Sequence, residues 1–307
     1  MKTEILDVVS DFDGLRLSVL MALPQDRPRG LVQIAHGMAE YKERYLPFLQ
    51  ALTQAGYACL IGDHRGHGAT ARNVEDLGWF GEAGAEALVE DMHQLTGLFK
   101  RRFPGLPLCL FGHSMGSLAA RAYARKYDGE LSALVVCGCP GENPGAGIGL
   151  ALVRLLEKVK GGRHRSKFID RLVNGSFAKK FPAAASPFAW INSDPRAVAD
   201  YEKDEKCGFL FTLNGYQALL TLMRMAYAKD GWQLARPDLK ILFISGGDDP
   251  CMISREKLDQ AVARMRGVGY GDVSLKVYEG LRHEILLEKD HDRVYKDVLD
   301  FLGRMDG

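Results

Sequence analysis

The sequence predicts an α/β fold: an eight-stranded, mostly parallel sheet flanked by helices, with a helical cap inserted into it. Three observations carry that prediction. Short apolar runs alternate with helix-period segments from residue 30 onward, two β-type runs precede that alternation, and the rhythm stops between about 140 and 235.

The opening runs, 3–9 and 15–22, are separated by the turn-forming Asp11-Phe12-Asp13-Gly14 and read as antiparallel strands. A third run covers 30–35. After it Tyr45, Phe48, Leu49 and Leu52 recur at helical spacing, and Gly56 ends that helix before a strand at Tyr57 to Ile61. The alternation continues with a helix near 81–102, a strand Leu108 to Phe111, a helix from Ser114 to Tyr127 and a strand Leu131 to Cys137. It resumes with Lys240 to Ile244, a helix near 254–266, a strand Val273 to Tyr278 and a last helix near 290–303. Strand-helix-strand units of this kind build parallel sheets covered on both faces. Residues 1–139 and 236–307 are therefore expected to form the core, and 140–235 the cap, with Gly138 to Gly149 as a hinge candidate.

Composition narrows the function classes. The 307 residues are 47% hydrophobic and 26% charged, and 40 Lys/Arg balance 39 Asp/Glu to a net +1. Such a chain buries a sizeable core and has no overall field that would favour nucleic acid. The six cysteines form no C-x-x-C pair and read as reduced structural thiols, so a metal site is not expected. The first residues lack a secretory apolar stretch, and no run approaches the roughly 20 apolar residues of a membrane span, which sets a cytoplasmic expectation. Gly145-Ala146-Gly147-Ile148-Gly149 lacks the third glycine of a dinucleotide fingerprint at the required spacing. There is no phosphate loop and no H-E-x-x-H helix, so no cofactor is implied.

Chemistry concentrates in a few loops. Gly112-His113-Ser114-Met115-Gly116 fits G-x-S-x-G, a pattern that arises by chance roughly 0.15 times in a chain of this composition. Its context is more specific: an apolar strand precedes it and a helix follows, as a nucleophile elbow requires. A serine hydroxyl needs a base and a group that orients the base. Of eight histidines, only His283 lies between the last strand and the last helix. The loop after Ile241 to Ile244 offers Asp248 and Asp249. Asp249 is preferred because Pro250 confines it to extended backbone, and Asp248 is the alternative. The order Ser114, Asp249, His283 is the one this elbow architecture uses. For the oxyanion, the backbone amides of Met115 and of Met38, in the loop after the third strand, are the expected donors. His36, Asp63, Arg65 and His67 read as loop braces.

On these residues the sequence resembles the monoacylglycerol lipase and lysophospholipase branch of the serine α/β-hydrolases, which the S33 peptidase-like profile also covers. His36-Gly37-Met38-Ala39-Glu40-Tyr41 with Arg44-Tyr45 looks like that branch's first loop and helix. Asp63-His64-Arg65-Gly66-His67-Gly68 looks like its turn after the fourth strand, and Gly246 to Pro250 with His283-Glu284-Ile285-Leu286 completes the core. In the insertion, Ser186 to Trp190 and Asp204 to Phe209 look like cap motifs of bacterial lysophospholipase-type members, with Ala189 and Glu205 departing from the usual Asp and Pro. The resemblance implies hydrolysis of a small-molecule acyl ester such as a monoacylglycerol or lysophospholipid. A peptidase or amidase with the same residues, or a non-catalytic ligand-binding member of the fold, are the alternatives.

One stretch suggests a surface role. From Arg154 to Arg171 seven Lys/Arg face two acids, beside Ile148, Leu150, Leu152, Val153, Leu155 and Leu156. A basic amphipathic helix there would touch anionic lipid surfaces. The plainer reading packs the apolar stripe over the active site and leaves the charges in water.

Overall fold

A computed structural model describes residues 1–306. Its strands are β1 (Lys2–Val9), β2 (Arg16–Leu23), β3 (Gly30–Ala35), β4 (Tyr57–Gly62), β5 (Leu108–His113), β6 (Ala133–Cys137), β7 (Lys240–Gly246) and β8 (Asp272–Tyr278). They form one sheet in the order β1-β2-β4-β3-β5-β6-β7-β8. β2 pairs antiparallel with β1 and β4, and every pairing from β4 onward to β8 is parallel.

The central strands are buried along their whole length, as continuous runs such as Leu108-Cys109-Leu110-Phe111 require of a strand covered on both faces. Helices α1 (Leu46–Gln54) and α9 (His291–Leu302) cover one face, where Phe48, Leu52, Val298 and Phe301 meet Cys109 and Phe111. The other face packs α2 (Gly84–Arg102), α3 (Met115–Tyr127) and α8 (Arg255–Val268), with Leu88, Phe99, Leu118 and Leu258 against Leu108 and Leu110. The side chains of β5 thus alternate between two cores.

Boundaries moved by a few residues for local reasons. The helix expected from about 81 begins at Gly84, whose φ of +53° makes a turn before the first helical residues. The strand expected from Leu131 begins at Ala133, because a 3-10 turn at Asp128–Glu130 ends on Leu131.

Between β6 and β7 lie α4 (Ala146–Lys160), α5 (Lys167–Val173), α6 (Pro195–Lys203) and α7 (Leu213–Ala226). The starts of the last three follow from capping: the side chains of Ser166, Asp194 and Thr212 accept from backbone amides of α5, α6 and α7. Among the described residues this stretch holds no sheet strand, only an isolated bridge between Arg165 and Thr212. α7 packs on α2, α3 and α4. Among the described residues no helix is long and apolar enough to cross a membrane.

The strand order reverses direction at β3, whose neighbours β4 and β5 take the chain to opposite sides. Crevices beyond the carboxyl ends of strands at such a point are where open α/β sheets bind ligands. The loops singled out in the sequence lie at those ends.

Candidate active site

Ser114 sits between β5 and α3 with φ +54° and ψ −118°, one of three non-glycine residues with positive φ among the described residues. Neighbouring glycines make that conformation possible. A Cβ on Gly112 would lie 2.3 Å from the Gly116 carbonyl oxygen, and one on Gly116 would lie 2.0 Å from that of Ala35. The elbow is thus pressed onto the end of β3 with no room for side chains, and the Ser114 amide donates to the Cys137 carbonyl at 2.9 Å. Ser114 is half-buried while its neighbours on both sides are buried. Strain of this kind is held in place only where surrounding packing overdetermines it.

Asp249 follows β7 and is fully buried; Asp248 is exposed. Asp249 Oδ1 accepts from the Cys251 amide at 2.8 Å, and Oδ2 accepts from His283 Nδ1 at 2.8 Å. Since an ionised carboxylate only accepts, His283 carries its proton on Nδ1 and presents a lone pair on Nε2. Nε2 lies 3.9 Å from Cys251 Sγ. Among the described residues no hydrogen bond joins Ser114 Oγ to His283 Nε2, a contact that hydrolase sites often make only when substrate binds. Asp249, Cys251 and His283 gather ligand atoms within 4.8 Å, but both carboxylate oxygens are already spent on the Cys251 amide and the imidazole. All six cysteines are free and buried, and burial, followed by the charge of Asp249, pushes the Cys251 thiol well above its ordinary pKa.

The loop after β3 faces the elbow. A Cβ on Gly37 would lie 2.5 Å from Glu40 Oε1 and 3.2 Å from Ser114 Cβ, so glycine lets this backbone run close to both the carboxylate and the serine. Among the described residues, no protein group accepts from the amides of Met38 or Met115. Met115 opens α3, where the first N–H groups have no partner within the helix.

Sequence reasoning missed what holds these loops together. Glu40 Oε1 accepts from the Gly37 amide at 2.5 Å, from Tyr45 OH at 2.9 Å and from His113 Nδ1 at 2.9 Å. Its Oε2 accepts from Arg44 at 3.0 Å, and Arg44 reaches on to both oxygens of Glu284, the residue after His283, at 2.6 and 2.9 Å. His113 Nε2 lies 3.3 Å from the His283 carbonyl. One buried carboxylate therefore ties together the loop after β3, the serine elbow and the His283 loop. Burial alone would raise the Glu40 carboxyl, yet the hydrogen bond and charge of His113 and the charge of Arg44 hold it well below its ordinary value. Burial works against protonating His113, but Glu40 outweighs it and the His113 pKa is raised. The two form a buried carboxylate–imidazole pair. The only sequence signal was two acids and an arginine beside motifs read for other purposes.

Two segments of the stretch between β6 and β7 close over the same loops. The Ile191 carbonyl accepts from the Glu284 amide at 2.7 Å, and Trp190 packs its ring 5.1 Å from that of His283. The Ala39 carbonyl accepts from the Gly208 amide and from Tyr201 OH, both at 3.0 Å. The stretches Ser186 to Trp190 and Asp204 to Phe209 thus meet the histidine loop and the Met38 loop, respectively.

His36, His64 and His67 form a buried cluster under the Met38 loop. His36 donates from Nδ1 to the Gly37 carbonyl and accepts from the His64 amide at Nε2; His67 donates from Nδ1 to the Arg65 carbonyl and accepts from the Ala39 amide. Burial pushes His64 down to about 3 and His67 to about 4, and takes His36 well below 6.5. These rings are neutral braces. Asp63 receives Lys42 Nζ at 2.6 Å, and buried Arg65 is held by Asp91 and Asp13. Below pH 6.5 the unfolded chain takes up protons that the cluster refuses, so stability falls as pH drops toward 4. Each histidine adds up to about 1.4 kcal/mol per pH unit. His113, with its pKa raised, contributes stability that is fully present below 6.5 and is lost as pH rises through its folded pKa, outside this window. Urea unfolding at pH 6.5 and 5 measures the slope; a flat profile would contradict a neutral cluster.

The family described as Serine aminopeptidase, S33 matches residues 26–290. The chain belongs to this family of hydrolases. It is 30% identical over 295 residues to the monoacylglycerol lipase of Mycolicibacterium smegmatis, covering 94% of this chain and 93% of that one. The solved carboxyl esterase of Bacillus coagulans, in complex with glycerol, superposes with a TM-score of 0.92 at 29% identity over the full length of both chains. Monoglyceride lipase of Saccharomyces cerevisiae, solved with a substrate analogue, shares the fold at a TM-score of 0.74 and 21% identity, covering 98% of this chain and 96% of that one.

Proposed function

We propose that the protein is a serine hydrolase that cleaves carboxylic esters bearing an apolar acyl group, of monoacylglycerol or lysophospholipid type, through an acyl-enzyme on Ser114. The observation that carries this reading is the convergence of a strained, half-buried serine at a helix start, an imidazole held by a buried carboxylate, and two uncommitted amides.

In this mechanism the Ser114 hydroxyl rotates toward His283 Nε2, loses its proton to it and attacks the ester carbonyl. The Met38 and Met115 amides receive the oxyanion. Imidazolium, stabilised by Asp249, protonates the leaving alcohol, and water repeats the sequence on the acyl-enzyme. The side of residues 140–235 that faces the site, with Trp190 over His283, acts as the cap that selects the acyl chain. The six free, buried cysteines suit a reducing, cytoplasmic setting.

Aminopeptidase activity would need a carboxylate left over to hold the substrate's amine. The buried acids around Ser114 are committed: Glu40 and Glu284 to Arg44, Asp249 to His283. Ester cleavage is favoured accordingly, and the names of the lipase and esterase relatives support it. A panel of p-nitrophenyl esters of increasing chain length beside aminoacyl naphthylamides tests this. We expect kcat/KM for the best ester to exceed that for any naphthylamide at least about a hundredfold, the order of discrimination an apolar pocket supplies. Equal or better cleavage of the naphthylamides would overturn the ester assignment.

A further inference from the structure

Helix α4 is apolar on two sides. Ala146, Leu150 and Val153 are buried and the helix packs on α7. On the far side, Ile148, Leu155 and Val159 follow an i, i+7, i+11 spacing that aligns them in one stripe, with the half-buried Leu152 at its edge packed on the core. Ile148 is 78% exposed, Leu155 60% and Val159 74%. The next helix, α5, adds Phe168 at 59% and Leu172 at 57%, again one turn apart. Five of the twelve exposed large hydrophobic residues thus fall on these two short helices.

The charge around them is lopsided. Between residues 140 and 182 nine Lys/Arg stand against three Asp/Glu, a local +6 in a chain whose total is +1. Arg154, Lys158, Lys160, Lys167 and Arg171 are exposed, and among the described residues none of them is in a salt bridge. On a helical wheel Arg154 and Lys158 flank the exposed stripe.

We infer that the outer face of α4 and α5 is a docking surface for an anionic phospholipid bilayer: Ile148, Leu155, Val159, Phe168 and Leu172 enter the interface while the flanking cations meet its headgroups. An apolar stripe beside clustered Lys/Arg is the pattern that interfacial helices use. A second copy of the chain is a poorer occupant, since it would set these cations against their own kind. The face also leads toward the site: Phe177, four residues beyond α5, packs on Trp190, whose ring covers His283. This inference deepens the ester-hydrolase reading by naming the surface from which an apolar acyl substrate would arrive, but its binding test is independent of catalysis.

The test is sedimentation of the full chain carrying Ser114→Ala with phosphatidylcholine vesicles, with and without about one-third phosphatidylglycerol. We expect binding to the anionic vesicles to exceed binding to the neutral ones at least about tenfold and to weaken with salt. Ile148→Ser with Val159→Ser, and separately Arg154→Glu with Lys158→Glu, should each lower it at least about tenfold. In the wild-type background the same pairs should leave turnover of a short, water-soluble ester unchanged. Equal binding to both vesicle types, or anionic binding untouched by either pair, would overturn the inference. Sedimentation velocity showing dimers that both pairs dissolve, without vesicle binding, would assign the face to a second copy instead.

Discussion

Asp249→Asn is expected to lower kcat for ester hydrolysis about ten-thousandfold while leaving stability nearly unchanged. The argument follows from the two short hydrogen bonds of the carboxylate, beside a longer one from Ser245 Oγ to Oδ2 at 3.5 Å. Oδ1 accepts from the Cys251 amide and Oδ2 from His283 Nδ1, both at 2.8 Å. An asparagine keeps its oxygen on the backbone amide, the partner that can only donate, and so turns its NH2 toward His283. Nδ1 must then accept, the proton moves to Nε2, and the ring can no longer take a proton from Ser114. The shape of the site survives. Initial rates on a saturating ester and urea unfolding measure both parts, and a kcat within tenfold of wild type would remove Asp249 from the mechanism.

Glu40→Ala should destabilise the fold by about 3–5 kcal/mol, because it leaves the His113 ring and two further donors, the Gly37 amide and Tyr45 OH, buried without their acceptor and takes from Arg44 one of its two carboxylates, leaving Glu284. The residue touches no substrate in the proposed mechanism, yet it fixes the Gly37 amide, the ring beside Ser114 and, through Arg44, the Glu284 that follows His283. Activity of the folded fraction should therefore fall too, since small displacements of catalytic groups cost large factors in rate. Glu40→Gln, which keeps one acceptor oxygen, should lie between. Urea unfolding of the two variants checks the order; equal stability of wild type and Glu40→Ala would show that the carboxylate is no hub.

The two residues show what is legible in a sequence and what is not. Asp249 could be read because the fold's chain order restricts it to one loop and because Pro250 and the buried strand before it are local signals. The sheet was legible for the same reason: strands buried on both faces read as unbroken apolar runs. Glu40 could not be read so: Gly37, Arg44 and Tyr45 lie within five residues of it, but the contacts that make it a junction are His113, 73 residues away, and Glu284, 240 residues from Arg44, and the local pattern does not distinguish it from a solvated acid. α4 falls between these cases. Its apolar residues were visible, but they divide between a buried side, Leu150 and Val153, and an exposed side, Ile148 and Leu155. A periodicity marks a stripe without saying what covers it, so the sequence alone left both readings of that helix open.

The account rests most directly on Ser114 as the residue that becomes acylated. Incubating the chain with a fluorophosphonate and locating the adduct by peptide mass spectrometry tests it. The expected result is stoichiometric labelling at Ser114, abolished in Ser114→Ala and slowed strongly in Asp249→Asn. Absence of labelling in the wild-type chain, or labelling confined to another residue, would contradict it.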